Sequence, residues 1–175
     1  MKKLALLLAA AMLLLCAACA AEPETDAQNT DGGAEVKNPM VSTDAEGFLD
    51  QIGVELGLPD GAEDVAYFVI SETLGEMRFT VDGVEMNARV QSADEYTDIS
   101  GLYYTWDVEE DCTVNGREGK EMRVTADGKT IDLCLWYDVV PGLMYALSAE
   151  AEDLDGFDLL AYAEQVYIPM QHDVG

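Results

Sequence analysis

The middle of the chain alternates apolar and polar residues with a period of two, and this pattern constrains the fold most strongly. Met77, Phe79 and Val81 alternate with polar residues, and the alternation resumes after Asp82-Gly83. Asp-Gly pairs favour the two-residue turns that join antiparallel strands. A strand pair with one apolar and one polar face is typical of an antiparallel sheet. The pattern therefore predicts a β-hairpin that buries one face.

Similar strand patterns recur on both sides of this hairpin. They cover residues 65–70, 103–114, 117–126, 129–137 and 143–149. Helical spacing of apolar residues predicts one helix from Asp44 to Leu56 and another that begins near Asp155 and ends before Pro169. Together these patterns predict an α+β fold, in which a largely antiparallel sheet of about six to seven strands carries the N- and C-terminal helices packed on one face.

The start of the chain is typical of a bacterial export signal. A short basic stretch precedes an apolar run that continues to Ala21. Small residues stand directly before Cys19, as in the lipobox of bacterial lipoproteins, although Cys16 replaces the usual leucine three positions earlier. We therefore expect cleavage before Cys19 and a lipid, such as palmitate, on its thiol.

Two alternatives stay open for this end of the chain. Ala18-Cys19-Ala20 also fits an A-x-A cleavage site, which would release a soluble secreted protein. Without cleavage, the apolar run is just long enough to serve as a transmembrane anchor. The lipoprotein interpretation is preferred, and it places the protein on the extracytoplasmic face of the cell membrane.

The chain is expected to have four parts. Residues 1–18 form the signal peptide, 19–38 the lipid attachment site and a disordered acidic spacer, 39–170 a single α+β domain, and 171–175 a disordered tail. The spacer has almost no large apolar side chain, so burial cannot offset the entropy that ordering it would cost.

The acidity of the chain limits its partners. Cleavage would remove Lys2 and Lys3 and change the formal charge from −26 to −28. Affinity for nucleic acid comes from Lys and Arg that neutralise phosphates, so we expect no nucleic-acid partner. The same charge opposes binding to anionic headgroups, so the lipid anchor would be the hold on the membrane.

Cys112 and Cys134 are the cysteines of the predicted domain. Outside the cytoplasm a disulfide is permitted. However, the strand pattern places the two thiols on opposite faces of the sheet with a whole strand between them. Bridged cysteines need Cα atoms within about 7 Å and side chains that point toward each other. A disulfide is therefore unfavourable, and both cysteines are expected to be free.

No catalytic or metal site is predicted. His172 is the one histidine and lies in the expected tail, so a Ser–His or Cys–His nucleophile system would have no base. The domain has no CxxC motif, and Asp153–Gly156 lacks the ligand spacing of a calcium loop. We expect no cofactor.

Aromatic residues provide a weaker indication of a site. Tyr103, Tyr104 and Trp136 fall on predicted neighbouring strands. On a two-sided sheet, some of them would lie away from the helices and line a groove for a peptide, sugar or lipid. Core packing explains the same residues equally well.

Several short motifs resemble those of small, uncharacterised lipoproteins of Gram-positive gut bacteria, a family defined by a domain of unknown function. They are Asn38-Pro39-Met40-Val41, Leu56-Gly57-Leu58-Pro59, the Phe79–Arg89 hairpin, Asp98-Ile99-Ser100-Gly101, Trp136 and residues 142–148. The resemblance covers most of residues 38–168. It implies a shared fold and supplies no activity.

The leading hypothesis is a non-catalytic binding or accessory module of the cell envelope, with an envelope protein, peptide or glycan as partner. One alternative is a glycan- or peptide-active hydrolase that uses dispersed carboxylates; a purely structural envelope protein is another. A pocket that joins two carboxylates in unequal environments would favour the hydrolase. An exposed aromatic face or strand edge would favour binding.

Lipid attachment is testable by labelling. When the full chain is expressed in a Gram-positive host fed an alkyne-tagged palmitate, Cys19→Ser abolishes the lipid label because the acylated thiol is gone. Cys16→Ser is the matched control and keeps the label. Loss of the label in Cys16→Ser but not in Cys19→Ser, or a wild type without label, would contradict the assignment of the lipid to Cys19.

Overall fold

The computed structural model describes residues 40–170, which form an eight-stranded antiparallel sheet and two short helices. The strands are β1 (Val41–Thr43), β2 (Glu63–Val69), β3 (Leu74–Val81), β4 (Val84–Ser92), β5 (Val108–Val114), β6 (Arg117–Ala126), β7 (Lys129–Asp138) and β8 (Leu143–Ala151); the helices are α1 (Ala45–Ile52) and α2 (Leu159–Val166). The predicted signal peptide, Cys19, the spacer and His172 lie outside these residues. No helix within residues 40–170 combines the length and apolarity needed to span a bilayer.

The sheet consists of two four-stranded meanders that meet in its centre. The strand order is β1-β2-β3-β4-β8-β7-β6-β5. The first meander ends at β4 and the second at β8, and these two strands pair from Glu85↔Glu150 to Ser92↔Leu143. The pairing of β4 with β8 therefore joins the two halves into one sheet.

The predicted hairpin is confirmed. β3 and β4 are in register from Leu74↔Gln91 to Val81↔Val84, which leaves Asp82 and Gly83 as the turn. Their φ angles of 51° and 80° are both left-handed, the conformation that a type I′ turn requires. Gly83 adopts it without strain, and Asp is among the few other residues that tolerate it.

The prediction of an α+β fold is wrong, because the described chain is mostly β. The sheet has eight strands rather than six or seven, and each helix has only eight residues. α1 ends at Ile52, four residues before the predicted end, and Gly53, whose φ is 77°, caps it. Val54 and Leu56 then enter the core from extended backbone. The additional strand is β1, which pairs with β2.

Both faces of the sheet are covered, but by different structures. On one, the helix face, Phe48 of α1 and Ala163 of α2 join a large apolar cluster that includes Trp136 and Leu147. On the other, the segment face, residues 93–107 (the crossing segment) run from β4 to the far edge strand β5. Their apolar side chains pack with residues of β6, β7 and β8, namely Met122, Leu133, Leu135, Met144 and Ala146.

A close contact between α1 and β3 makes the packing testable. A Cβ added to Gly75 would lie 2.5 Å from two ring carbons of Phe48, so Gly75→Ala forces the helix away from the strand. We expect a loss of about 1–3 kcal/mol in unfolding free energy by urea denaturation. Phe48→Leu removes the ring, so the double variant Gly75→Ala/Phe48→Leu is expected to lose less unfolding free energy than the two single losses summed. Strictly additive losses would show that the two residues are not in contact.

Candidate functional site

The segment face is open beside Leu102 of the crossing segment, and a groove of about 430 Å³ lies there. Ile131, Glu150, Glu85 and Thr80 line it and are successive Cα partners across β7, β8, β4 and β3, so the groove crosses four strands. We call it the polar groove. The side chains that line it and face this side are Arg78, Thr80, Glu85, Asn87, Leu102, Ile131, Ser148 and Glu150.

A buried carboxylate supports one side of this groove. Glu76 is fully buried and accepts hydrogen bonds from Arg78 Nε at 2.6 Å and Arg89 Nε at 2.7 Å. Arg89 also donates to the Ile99 carbonyl at 3.2 Å, which holds the crossing segment against the sheet. Burial alone would raise the pKa of Glu76, but hydrogen bonds from Arg89, Asn87 and Arg78 lower it below its ordinary value.

Asn87 has a fixed orientation and an unused acceptor. Its side chain donates to Glu76, and an ionised carboxylate only accepts, so the amide nitrogen must face Glu76. The amide oxygen Oδ1 is then directed away from Glu76. Oδ1 is buried and has no hydrogen-bond partner within residues 40–170. A buried acceptor without a partner is costly, so a donor supplied by a ligand would be stabilising there.

The remaining polar groups of the groove include both hydrogen-bond donors and hydrogen-bond acceptors, which lie close to one another. Glu85 and Glu150 are Cα partners on β4 and β8, and Lys129 pairs with Glu150. The side chain of Arg78 is 47% exposed. Its Nε donates to Glu76, its Nη2 contacts Met40 Sδ at 3.5 Å and the guanidinium lies over the Phe68 ring, which leaves the Nη1 donors for a ligand. Leu102 and Ile131 add apolar surface. The groove can therefore bind a ligand that both donates and accepts hydrogen bonds.

A second cavity of about 430 Å³, the acid pocket, lies on the helix face. Glu110 and Glu121 are Cα partners on β5 and β6, and both line the pocket with Asp158, the N-cap of α2. Burial, together with the charges of Asp158, Asp132 and Glu110, raises the pKa of Glu121. Asp132 is itself paired with Arg123 through two bonds of 2.6 Å.

The structure does not bring the three predicted aromatic residues together. Trp136 is 0% exposed and stacks on Tyr145 in the core, with ring centroids 5.1 Å apart. Tyr103 is 96% exposed and Tyr104 is 39% exposed, and both belong to the crossing segment on the other side of the sheet. Trp136 is a core residue here, and Tyr104 instead contacts Trp106 edge to face.

The two cysteines lie on the same face, so the geometric argument that placed them on opposite faces is wrong. Cys112 pairs with Gly119, and Gly119 pairs with Trp136, the neighbour of Cys134 on its face. The two Sγ atoms are 3.9 Å apart, and both thiols are free in the structure. A hydrogen bond from Cys134 lowers the pKa of the Cys112 thiol. That the cysteines stay reduced after export is still a prediction.

Sequence reasoning missed the polar groove because it assigned Asn87 and Arg89 to a solvated face. A usable signal was present in the hairpin. In the predicted register, Glu76 is directly opposite Arg89, and opposite charges that pair across strands stabilise a sheet. Nothing in the sequence indicated that the crossing segment would bury this pair.

Neither a scan against protein-family models nor a search of curated proteins finds a match for this chain. The similarity to Gram-positive lipoproteins therefore stays a prediction. The polar groove and the acid pocket are therefore the features from which a function is inferred.

The network around Glu76 predicts a dependence of stability on pH. Its pKa is lower in the folded chain than in the unfolded chain, so its contribution is present above about pH 4.3 and is lost as the pH falls through the folded value. Glu76→Gln leaves Arg89 without its anion and is expected to cost about 3–5 kcal/mol at pH 7. The unfolding free energy, measured by urea denaturation, should fall less between pH 7 and pH 3 for this variant than for wild type. Glu85 is an exposed residue on the same face, so Glu85→Gln is the control. An equal loss of unfolding free energy in this control would contradict the assignment of the pH dependence to Glu76.

Proposed function

We propose that the chain is a lipoprotein, held on the extracytoplasmic face of the membrane through Cys19, whose domain binds a neutral glycan of the cell envelope without catalysis. The observation that supports this proposal is the buried Asn87 Oδ1, which lacks a partner within residues 40–170 at the edge of an open groove. Oδ1 itself has almost no accessible surface, so a ligand hydroxyl or amide N–H would complete its hydrogen bonding after the side chains at the groove edge move aside. Such a bond contributes about 0.5–1.5 kcal/mol.

The chemistry of the groove favours a glycan. A sugar hydroxyl can both donate and accept a hydrogen bond. It can donate to Asn87 Oδ1 or to the carboxylates of Glu85 and Glu150, and it can accept from the guanidinium of Arg78. The groove also contains the hydroxyls of Thr80 and Ser148, which do both.

Charge selects among glycans. The whole chain has a formal charge of −26, and Glu85 and Glu150 lie in the groove itself. These carboxylates would repel anionic wall polymers, whereas a neutral glycan would meet no such repulsion. A neutral, amide-bearing glycan is therefore the expected class of ligand. Peptidoglycan strands bear N-acetyl amides and carry far fewer charges than the anionic wall polymers, so among envelope glycans they suit the groove better.

Cosedimentation with insoluble peptidoglycan, stripped of anionic polymers, tests this proposal. Wild-type protein should sediment with the glycan. Ser148→Phe fills the groove beside Asn87, and Asn87→Leu removes the acceptor, so each is expected to weaken binding about tenfold, or about 1.4 kcal/mol. Glu110→Gln, on the helix face, is the matched control and should bind as wild type does.

The outcomes separate the proposal from its rivals. Thermal denaturation must first show that Ser148→Phe and Asn87→Leu are folded. Equal binding by folded Ser148→Phe, or no binding by wild type, would contradict the groove as the glycan site. Loss of binding only in Glu110→Gln would move the site to the acid pocket.

The acid pocket supports a second candidate, a glycan- or peptide-active hydrolase. Glu121 has a raised pKa, as a general acid requires, and Glu110 lies opposite it on the next strand. Paired carboxylates in unequal environments are the machinery of glycoside hydrolysis. A hydrolase would release soluble fragments from dye-labelled peptidoglycan and lose about a hundredfold or more of that activity in Glu121→Gln. The binding proposal expects no release by wild type.

A further inference from the structure

Two thiols meet over a residue that has no side chain. Cys112 on the edge strand β5 and Cys134 on β7 are separated by β6, and their Sγ atoms approach to 3.9 Å above Gly119. A Cβ at Gly119 would clash with the Leu135 carbonyl oxygen and lie 3.2 Å from the Cys112 Sγ, so the backbone and the sulfur together leave no room for a side chain there. Cys134 is 0% exposed, whereas Cys112 is partly exposed at the sheet edge.

The strand between the cysteines disfavours a direct bond. Neighbouring strands lie about 4.8 Å apart, so β5 and β7 are separated by roughly 9.6 Å. Disulfides need Cα atoms within about 7 Å and an S–S distance of about 2.05 Å. The sulfurs would have to approach each other by roughly 2 Å more, which the paired backbone of β6 resists.

We infer that Cys112 and Cys134 form a two-coordinate site for a soft monovalent cation, Cu(I) or its analogue Ag(I). With metal–sulfur bonds of about 2.3 Å, a linear two-coordinate site places its sulfurs about 4.6 Å apart. The two Sγ atoms at 3.9 Å would therefore separate by roughly 0.7 Å, which rotation of the side chains can supply while the backbone stays in place. Each thiol gives up its proton, two sulfur–metal bonds form, and no electron is transferred.

The ligand set excludes the commoner metals. Within residues 40–170, no third His, Cys, Asp or Glu completes a metal-binding group with these thiols. Structural zinc takes four ligands, and calcium and magnesium take oxygen. Thiolate is a soft ligand that selects Cu(I). Access from solvent is through Cys112 at the exposed edge.

The test is an anaerobic titration of the full chain with Cu(I) buffered by bicinchoninate. We expect wild type to take up one more Cu(I) per chain than the double variant Cys112→Ser/Cys134→Ser, and each single variant to lose that ion. The double variant is the matched control, because it retains any binding by Cys16 and Cys19. X-ray absorption on the loaded protein should show two sulfur ligands on the ion.

Three results would overturn the inference. One is equal uptake by wild type and the double variant, with both shown to be folded by thermal denaturation. Another is uptake that survives in either single variant. The third is a purified wild type in which mass spectrometry finds Cys112 and Cys134 joined as a disulfide that does not open for the ion.

Discussion

The pairing of β4 with β8 is the contact on which the rest of the structure depends. Each half of the described chain is a four-stranded meander, and eight successive pairs from Glu85↔Glu150 to Ser92↔Leu143 join them. This seam places Met86 and Ala88 beside Leu147 and Ala149 on the helix face, where the larger apolar cluster forms. It places Asn87 beside Ser148 on the segment face, where the polar groove lies. The apolar core and the candidate site thus lie on opposite faces of the same strand pair.

A return path across the sheet follows from this arrangement. After β4 the chain must reach β5 at the far edge, and the crossing segment does so over the segment face. It buries Leu133 and Leu135 and packs with Leu74 of β3, but it leaves Arg78 exposed, and the polar groove is open there. Arg89 joins the two regions, because it bonds both the buried Glu76 and the Ile99 carbonyl. The wall of the groove and the position of the crossing segment are therefore set by one ionic network.

The sequence predicted local structure better than long-range structure. The register at Asp82-Gly83, and Met122 opposite Leu133 across Asp127-Gly128, follow from turn chemistry and are confirmed. Whether a second face is buried depends on the crossing segment. Residues 93–102 have no periodic pattern, and residues 103–107, which the sequence assigned to a strand, precede β5 in the structure. Sequence reasoning therefore left Trp136 open between a groove residue and a core residue, and the structure places it in the core. Because burial of the second face was not foreseen, Cys112 and Cys134 were assigned to opposite faces and Asn87 was assigned to solvent.

NMR with a soluble peptidoglycan glycan tests most directly whether the polar groove is the binding surface. The central claim predicts that the side-chain amide signals of Asn87 and the backbone signals of β4 and β8 shift on titration, while those of Glu110 and Glu121 do not. Shifts confined to the acid pocket, or no shifts at concentrations where wild type cosediments with peptidoglycan, would contradict the claim.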